Sequence, residues 1–128
     1  MKFISFQKEN GKIRAGLLLS DRFVIDINEA SGGRLPDDML AFLDKHEHYL
    51  ETVTSLLSLK HTDKGVYPLE SIQLAAPLPM PRSFRDFYAF EQHVKTAREN
   101  RGLEMIPEWY EIPVFYFSNH LAIKGRTN

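Results

Sequence analysis

Arg22-Phe23-Val24-Ile25-Asp26-Ile27 alternates Phe23, Ile25 and Ile27 with Arg22, Val24 and Asp26, the period-two pattern of a strand with one buried face. Ser20-Asp21 turns the chain before it, and Lys12 to Leu19 supplies a strand on the other side of that turn. Further back, Lys2 to Gln7 alternates with Phe3 outside the Ile4–Phe6 face, and Glu9-Asn10-Gly11-Lys12 is a tight-turn sequence. The three runs predict a meander of antiparallel strands.

Working outward, Ser31-Gly32-Gly33 breaks the sheet pattern, and Pro36-Asp37-Asp38 opens a helix with Met39, Leu40 and Leu43 as its apolar stripe. A second helical pattern runs from about His48 to Leu59, burying Leu50, Val53, Leu56 and Leu57. Lys60 to Gly65 is polar loop, and Leu69 to Ala75 suits a short strand. Ala76-Pro77-Leu78-Pro79-Met80-Pro81 then sets prolines at alternate positions, which forces an extended connector. The expected organisation is a β-rich domain over 1–76, a connector over 77–81 and a second segment over 82–128.

That second segment opens on Arg85-Asp86-Phe87-Tyr88-Ala89-Phe90-Glu91-Gln92-His93. Ser83 is placed to cap a helix running to about Asn100. In such a helix Asp86 and His93 would differ by about 20° in azimuth and lie roughly 10 Å apart along the axis. Phe84, Phe87 and Phe90 would form its core stripe. Leu103 to Pro113 reads as an ordered surface loop in which Trp109 and Tyr110 are either a structural anchor, the favoured reading, or a lid over a site, and Val114 to Ser118 as a strand.

Composition narrows the function classes. A chain of 128 residues supports one domain, or a small domain plus the start of another. The net charge is −1, and the arginines and lysines after Arg82 alternate with Asp86, Glu91, Glu99 and Glu104, so a solvated helix face is expected rather than a nucleic-acid surface. The absence of cysteine excludes disulfides, thiolate zinc sites and cysteine nucleophiles. Apolar runs are too short for a bilayer span and no signal peptide opens the chain, so a cytoplasmic protein without membrane partners is expected. His46, His48 and His61 read as surface and loop residues.

The block from Arg85 to Arg98, together with Glu108-Trp109-Tyr110-Glu111-Ile112-Pro113-Val114-Phe115-Tyr116-Phe117-Ser118-Asn119, resembles the fumarylacetoacetate hydrolase family. The resemblance is loose over the whole chain and close over Pro77 to Gly125. It implies an α+β protein: a small N-terminal β-meander (SH3-like) domain with two helices, then a helix-loop-strand that begins an incomplete mixed β-roll. It also implies an enzyme acting on acylpyruvate-like (2,4-dioxo) acids through a metal-stabilised enolate. Hydrolysis of a carbon–carbon bond is the leading reaction, with isomerisation or decarboxylation of a related 2-oxo acid beside it.

Carried over by position, the resemblance makes Asp86 a ligand of a divalent cation (Mg²⁺, Mn²⁺ or Ca²⁺) in the full-length context, since hard cations take oxygen donors. It makes His93 the general base that activates water, because an imidazole exchanges protons near neutral pH. Tyr88 and Tyr116 become substrate-facing hydroxyls, and Arg98 or Arg101 a grip on the substrate carboxylate. A homodimer is compatible with it. The family's other acidic ligands, a Glu-x-Glu pair and a further Asp, have no counterpart after Asp86. The expectation is therefore the front third of an enzyme, inactive alone and poorly supported from Arg82 onward. The competing expectation is a stand-alone β domain that acts by association.

Overall fold

The computed structural model describes residues 1–9 and 11–125. The described residues divide into two compact units, Met1–Pro81 together with 121–125, and Arg82–His120. No helix among the described residues is long and apolar enough to cross a membrane.

The first unit is a small α+β domain built on a curled antiparallel sheet. Strands β1 (Phe3–Lys8), β2 (Ile13–Leu18) and β3 (Phe23–Asp26) form the meander that the alternation predicts. Phe3 stands opposite Leu17 and Leu17 opposite Ile25, while Ser5 faces Ala15. Side chains alternate across a sheet, so Phe3, Ala15, Leu17 and Ile25 share one face. On that face they pack with Leu35, Met39, Phe42, Val53 and Leu56. Phe3 therefore belongs to the core face.

The helices seal this face. After the one-turn helix α1 (Ile27–Ala30), helix α2 (Met39–Asp44) starts where the Asp38 carboxylate accepts from the Ala41 N–H at 2.9 Å. Helix α3 (His46–Ser55) runs on into a single 3₁₀ turn at Leu56–Ser58. Phe42, fully buried, stacks between Phe3 and Tyr49 with ring centroids 5.0 and 5.8 Å away. Burying such a ring contributes about 2–3 kcal/mol. Leu43, Leu50 and Leu57, expected on the buried stripes, are exposed.

Two short strands complete the sheet in the order β4-β3-β2-β1-β5. Strand β4 (Val66–Pro68) pairs with β3, and β5 (Ile72–Leu74) pairs with β1. Pro68 is tolerated because β4 is an edge strand. The expected strand over Leu69 to Ala75 is thus split, its first part being a 3₁₀ turn at Leu69–Ser71. The other sheet face is also closed off. Phe6 and Val24 are fully buried there, with the Phe6 ring lying over Gly16. In the β1–β2 turn the Gly11 N–H reaches the Lys8 carbonyl at 2.8 Å, and Asn10 lies outside the described residues.

The second unit corrects the sequence expectation. Arg85–Phe87 is a strand, β6, rather than the first turn of a helix. It pairs antiparallel with β7 (Phe115–Phe117), Arg85 opposite Phe117, Asp86 opposite Tyr116 and Phe87 opposite Phe115. Helix α4 begins only at Glu91 and ends at Glu99. The helical spacing of Phe84, Phe87 and Phe90 is a coincidence of an aromatic-rich strand and the turn after it. Aromatic residues favour strands, and cross-strand pairing overrides a short periodic run. These phenylalanines form no core stripe: Phe87 is 52% and Phe90 80% exposed. The expected loop before β7 contains a one-turn helix, α5 (Glu108–Glu111).

Candidate functional site

Pairing across β6 and β7 sorts the second unit's side chains onto two faces. Arg85, Phe87, Phe115 and Phe117 share one, where the Arg85 guanidinium lies over the Phe117 ring at 5.0 Å and Phe87 packs on Phe115 at 5.1 Å. Asp86 and Tyr116 oppose each other on the other face. The ladder continues through the Tyr88 N–H to the Val114 carbonyl at 3.1 Å, so Tyr88 stays on the Asp86 side two residues along.

Tyr88 is the hub of that side. Its ring meets Tyr116 edge-on at 6.5 Å and His93 edge-on at 6.0 Å. The fold thus brings together Tyr88, His93 and Tyr116, with Asp86 directly across the ribbon from Tyr116, although not by the shared helix face expected. Asp86 sits on a strand and His93 in the first turns of α4. Asp86, His93 and Tyr116 are exposed and Tyr88 half-buried, so the face is open to a small molecule.

The two arginines differ. The Arg98 Nε donates to the Glu104 carbonyl at 2.5 Å and ties the end of α4 to the following loop. Arg101 stands exposed in the turn after α4.

Trp109, read from sequence as a loop anchor, has a sharper task. Its indole N–H donates to the Tyr88 carbonyl at 2.7 Å. The next residue, Tyr110, donates its hydroxyl to Glu91 Oε1 at 2.8 Å. A depression of about 450 Å³ lies beside them, lined by Tyr88, Trp109, Tyr110, Ile112 and Val114 among others.

A Mg²⁺ or Ca²⁺ ion takes about six oxygen ligands. Asp86 brings one carboxylate, and among the described residues no three acids or histidines gather into a metal site. The residues present do not by themselves fit such an ion.

The most connected polar cluster lies in the first unit, and sequence reading passed over it. Asp26, fully buried, accepts from Arg14 Nε at 2.5 Å and Nη2 at 3.1 Å, and also from the Glu29 N–H that opens α1. Lys8 Nζ lies 3.6 Å from Asp26 and 3.1 Å from Glu29, and the Tyr67 hydroxyl donates to Glu29 at 2.6 Å. The Tyr67 hydrogen bond and then Lys8 hold the Glu29 carboxyl below its ordinary range, against partial burial. Each cation here is matched by a carboxylate, which marks the cluster as structural. The only sequence signal was a charged residue at each of three strand positions: Lys8, Arg14 and Asp26.

No protein-family model matches this chain, and no curated protein is significantly similar to it.

Proposed function

We propose that this chain is the N-terminal portion of a fumarylacetoacetate-hydrolase-like enzyme that cleaves a carbon–carbon bond in acylpyruvate-like acids. The observation that carries the reading is the convergence of Tyr88, His93 and Tyr116 on one open face, with Asp86 opposite Tyr116. In this reading His93 takes a proton from the attacking water. The hydroxyls of Tyr88 and Tyr116 hold the substrate's carboxylate or carbonyl oxygens, and an arginine after α4, with Arg101 the freer of the pair, grips its far end. The first unit corresponds to the family's SH3-like domain, and β6, α4 and β7 to the start of its mixed β-roll. Asp86 would supply one carboxylate to a divalent cation that polarises the substrate's oxygens, the other ligands having to come from outside this chain.

The test compares this chain with a version extended by the downstream reading frame, on a panel of 2,4-dioxo acids with Mg²⁺ or Mn²⁺. Turnover by the extended protein that disappears with His93→Ala and with Asp86→Asn is the expected result. An extended protein that leaves the whole panel intact, or turnover that survives His93→Ala, overturns the reading. Products retaining the carbon–carbon bond, or releasing CO₂, would assign isomerase or decarboxylase chemistry instead. A second reading, a non-catalytic domain acting by association, draws on the exposed Phe87, Phe115 and Phe117.

A further inference from the structure

We infer that Trp109 and Tyr110 act as a clasp that positions Tyr88 and His93 relative to each other, holding the strand end with one side chain and the helix start with the other. The inference rests on the reading of Tyr88 and His93 as site residues, and it names the pair as positioning residues for that site.

The need for a clasp follows from the connection between them. Only Ala89 and Phe90 separate Tyr88 from the first residue of α4, and both are exposed. The connector itself therefore contributes no packing that fixes the angle at which α4 leaves the ribbon; within the helix, Val94 is buried. The start of α4 is also loosely specified, because its N-cap residue, Phe90, makes no side-chain cap hydrogen bond. A strand end and an uncapped helix joined by two exposed residues form a natural hinge.

Both sides of that hinge are tied to one short element. Trp109, twenty-one residues along the chain from Tyr88, donates its indole N–H to the Tyr88 carbonyl at 2.7 Å. The Tyr88 N–H is already held by Val114, so both backbone groups of this residue are fixed. Tyr110 reaches Glu91, two residues before His93, at 2.8 Å. The Trp109 and Tyr110 rings stand at 90° to one another, which lets adjacent residues point at separate targets. The hydrogen bond to Glu91 pushes the Tyr110 hydroxyl above its ordinary titration range, the direction expected of a phenol that donates to a carboxylate. The effect of the two bonds is to keep the His93 and Tyr88 rings edge to face.

The experiment is side-chain NMR on the full chain and on Trp109→Phe, Tyr110→Phe and Glu91→Gln. In the parent protein, cross-peaks between the Tyr88 and His93 rings are expected, with His93 ring signals displaced from those of the exposed His46. Trp109→Phe keeps the aromatic bulk and deletes the donor; Tyr110→Phe deletes only the hydroxyl. Each should lose or weaken those cross-peaks and move His93 toward His46. Glu91→Gln keeps an acceptor and should retain the parent pattern, which loss of packing alone would not explain. Parent-like cross-peaks in both phenylalanine variants overturn the clasp, and so does their absence from the parent. Should Trp109→Phe unfold the unit, Tyr110→Phe decides alone, since that ring is 59% exposed. Turnover plays no part in this readout, so failure of the catalytic reading and failure of the clasp are separately visible.

Discussion

Arg14 lays its guanidinium against the buried Asp26 carboxylate in a two-point contact, Nε to Oδ2 at 2.5 Å and Nη2 to Oδ1 at 3.1 Å. The same carboxylate caps α1 through the Glu29 N–H. One side chain thus joins β2, β3 and the first helix. Removing one partner of a buried ion pair costs roughly 3–5 kcal/mol, because the other is left buried and uncompensated. Lys8 remains 3.6 Å away, so Arg14→Leu is expected at the low end, about 3 kcal/mol, read from urea unfolding of the first unit. The double variant Arg14→Leu/Asp26→Leu should recover part of that loss. A fully additive double variant would show that the pair is not coupled.

The Lys8–Glu29–Tyr67 triad sets a pH window. The carboxyl of Glu29 is depressed chiefly by the Tyr67 hydroxyl, with Lys8 adding to it against burial. Its contribution to stability is therefore fully present above the ordinary glutamate range and is lost as pH falls through the depressed folded value. For the Lys8 ammonium, burial is the largest single effect and acts downward, but hydrogen bonds to Tyr67 and Glu29 outweigh it and leave it raised. The Tyr67 phenol is raised by burial and then by Glu29. Both contributions are intact below about pH 10 and fade as pH rises through the raised values. Stability should plateau between these limits. Glu29→Gln should flatten the acid limb of a urea-midpoint profile; an unchanged acid limb would remove Glu29 from this role.

Gly65 is held at φ +82, and its carbonyl receives the Asp26 N–H at 2.8 Å. A Cβ there would stand 2.7 Å from the Ala30 backbone nitrogen. Gly65→Ala combines left-handed strain with a backbone clash and should cost roughly 3 kcal/mol or more. The same change at Gly32, also at positive φ but facing open space, should cost only about 1 kcal/mol. Thermal denaturation of the two variants side by side checks the difference; equal losses would discount the Ala30 contact.

Millimolar Mg²⁺ or Ca²⁺ should leave the melting temperature of the 128-residue chain unchanged, and acylpyruvates should not be turned over. Asp86 supplies too few oxygens for a cation that wants about six, and a ligand stabilises only as far as its concentration exceeds its dissociation constant. Scanning calorimetry with and without a chelator is the check. A rise of several degrees that Asp86→Asn abolishes would mean that Asp86 has further ligands.

Period-two alternation and the turn sequences made the meander's strands legible, but not their burial: Val24 and Asp26, on the face expected to be polar, are as buried as Ile25 and Ile27. The start of α2 was legible to within a turn: Asp37 and Asp38, expected inside its first turn, precede the helix, and Asp38 caps it. Strand β4 was not legible, since three residues carry too little periodicity to stand out from a turn, and β5 was legible only as the second part of a longer expected strand. At the candidate site, the residue types were readable and their geometry was not. Tyr88 contacts both His93 and Tyr116, and Asp86 stands opposite Tyr116, through a cross-strand register that a single segment cannot encode. Trp109 carried no signal of its target, because its partner is a backbone carbonyl, and every residue type has one.

Amino-acid order alone was enough for the antiparallel meander and the proline-rich break, and it nominated an aspartate, a histidine and two tyrosines as candidates. Tertiary structure alone decided that Asp86 lies on a strand, that Tyr88 mediates between His93 and Tyr116, and that Asp26 is a buried, paired charge. The physical reason is range. Alternation and capping act over a few residues, whereas strand pairing and charge burial join positions whose separation along the chain says nothing about their distance in space.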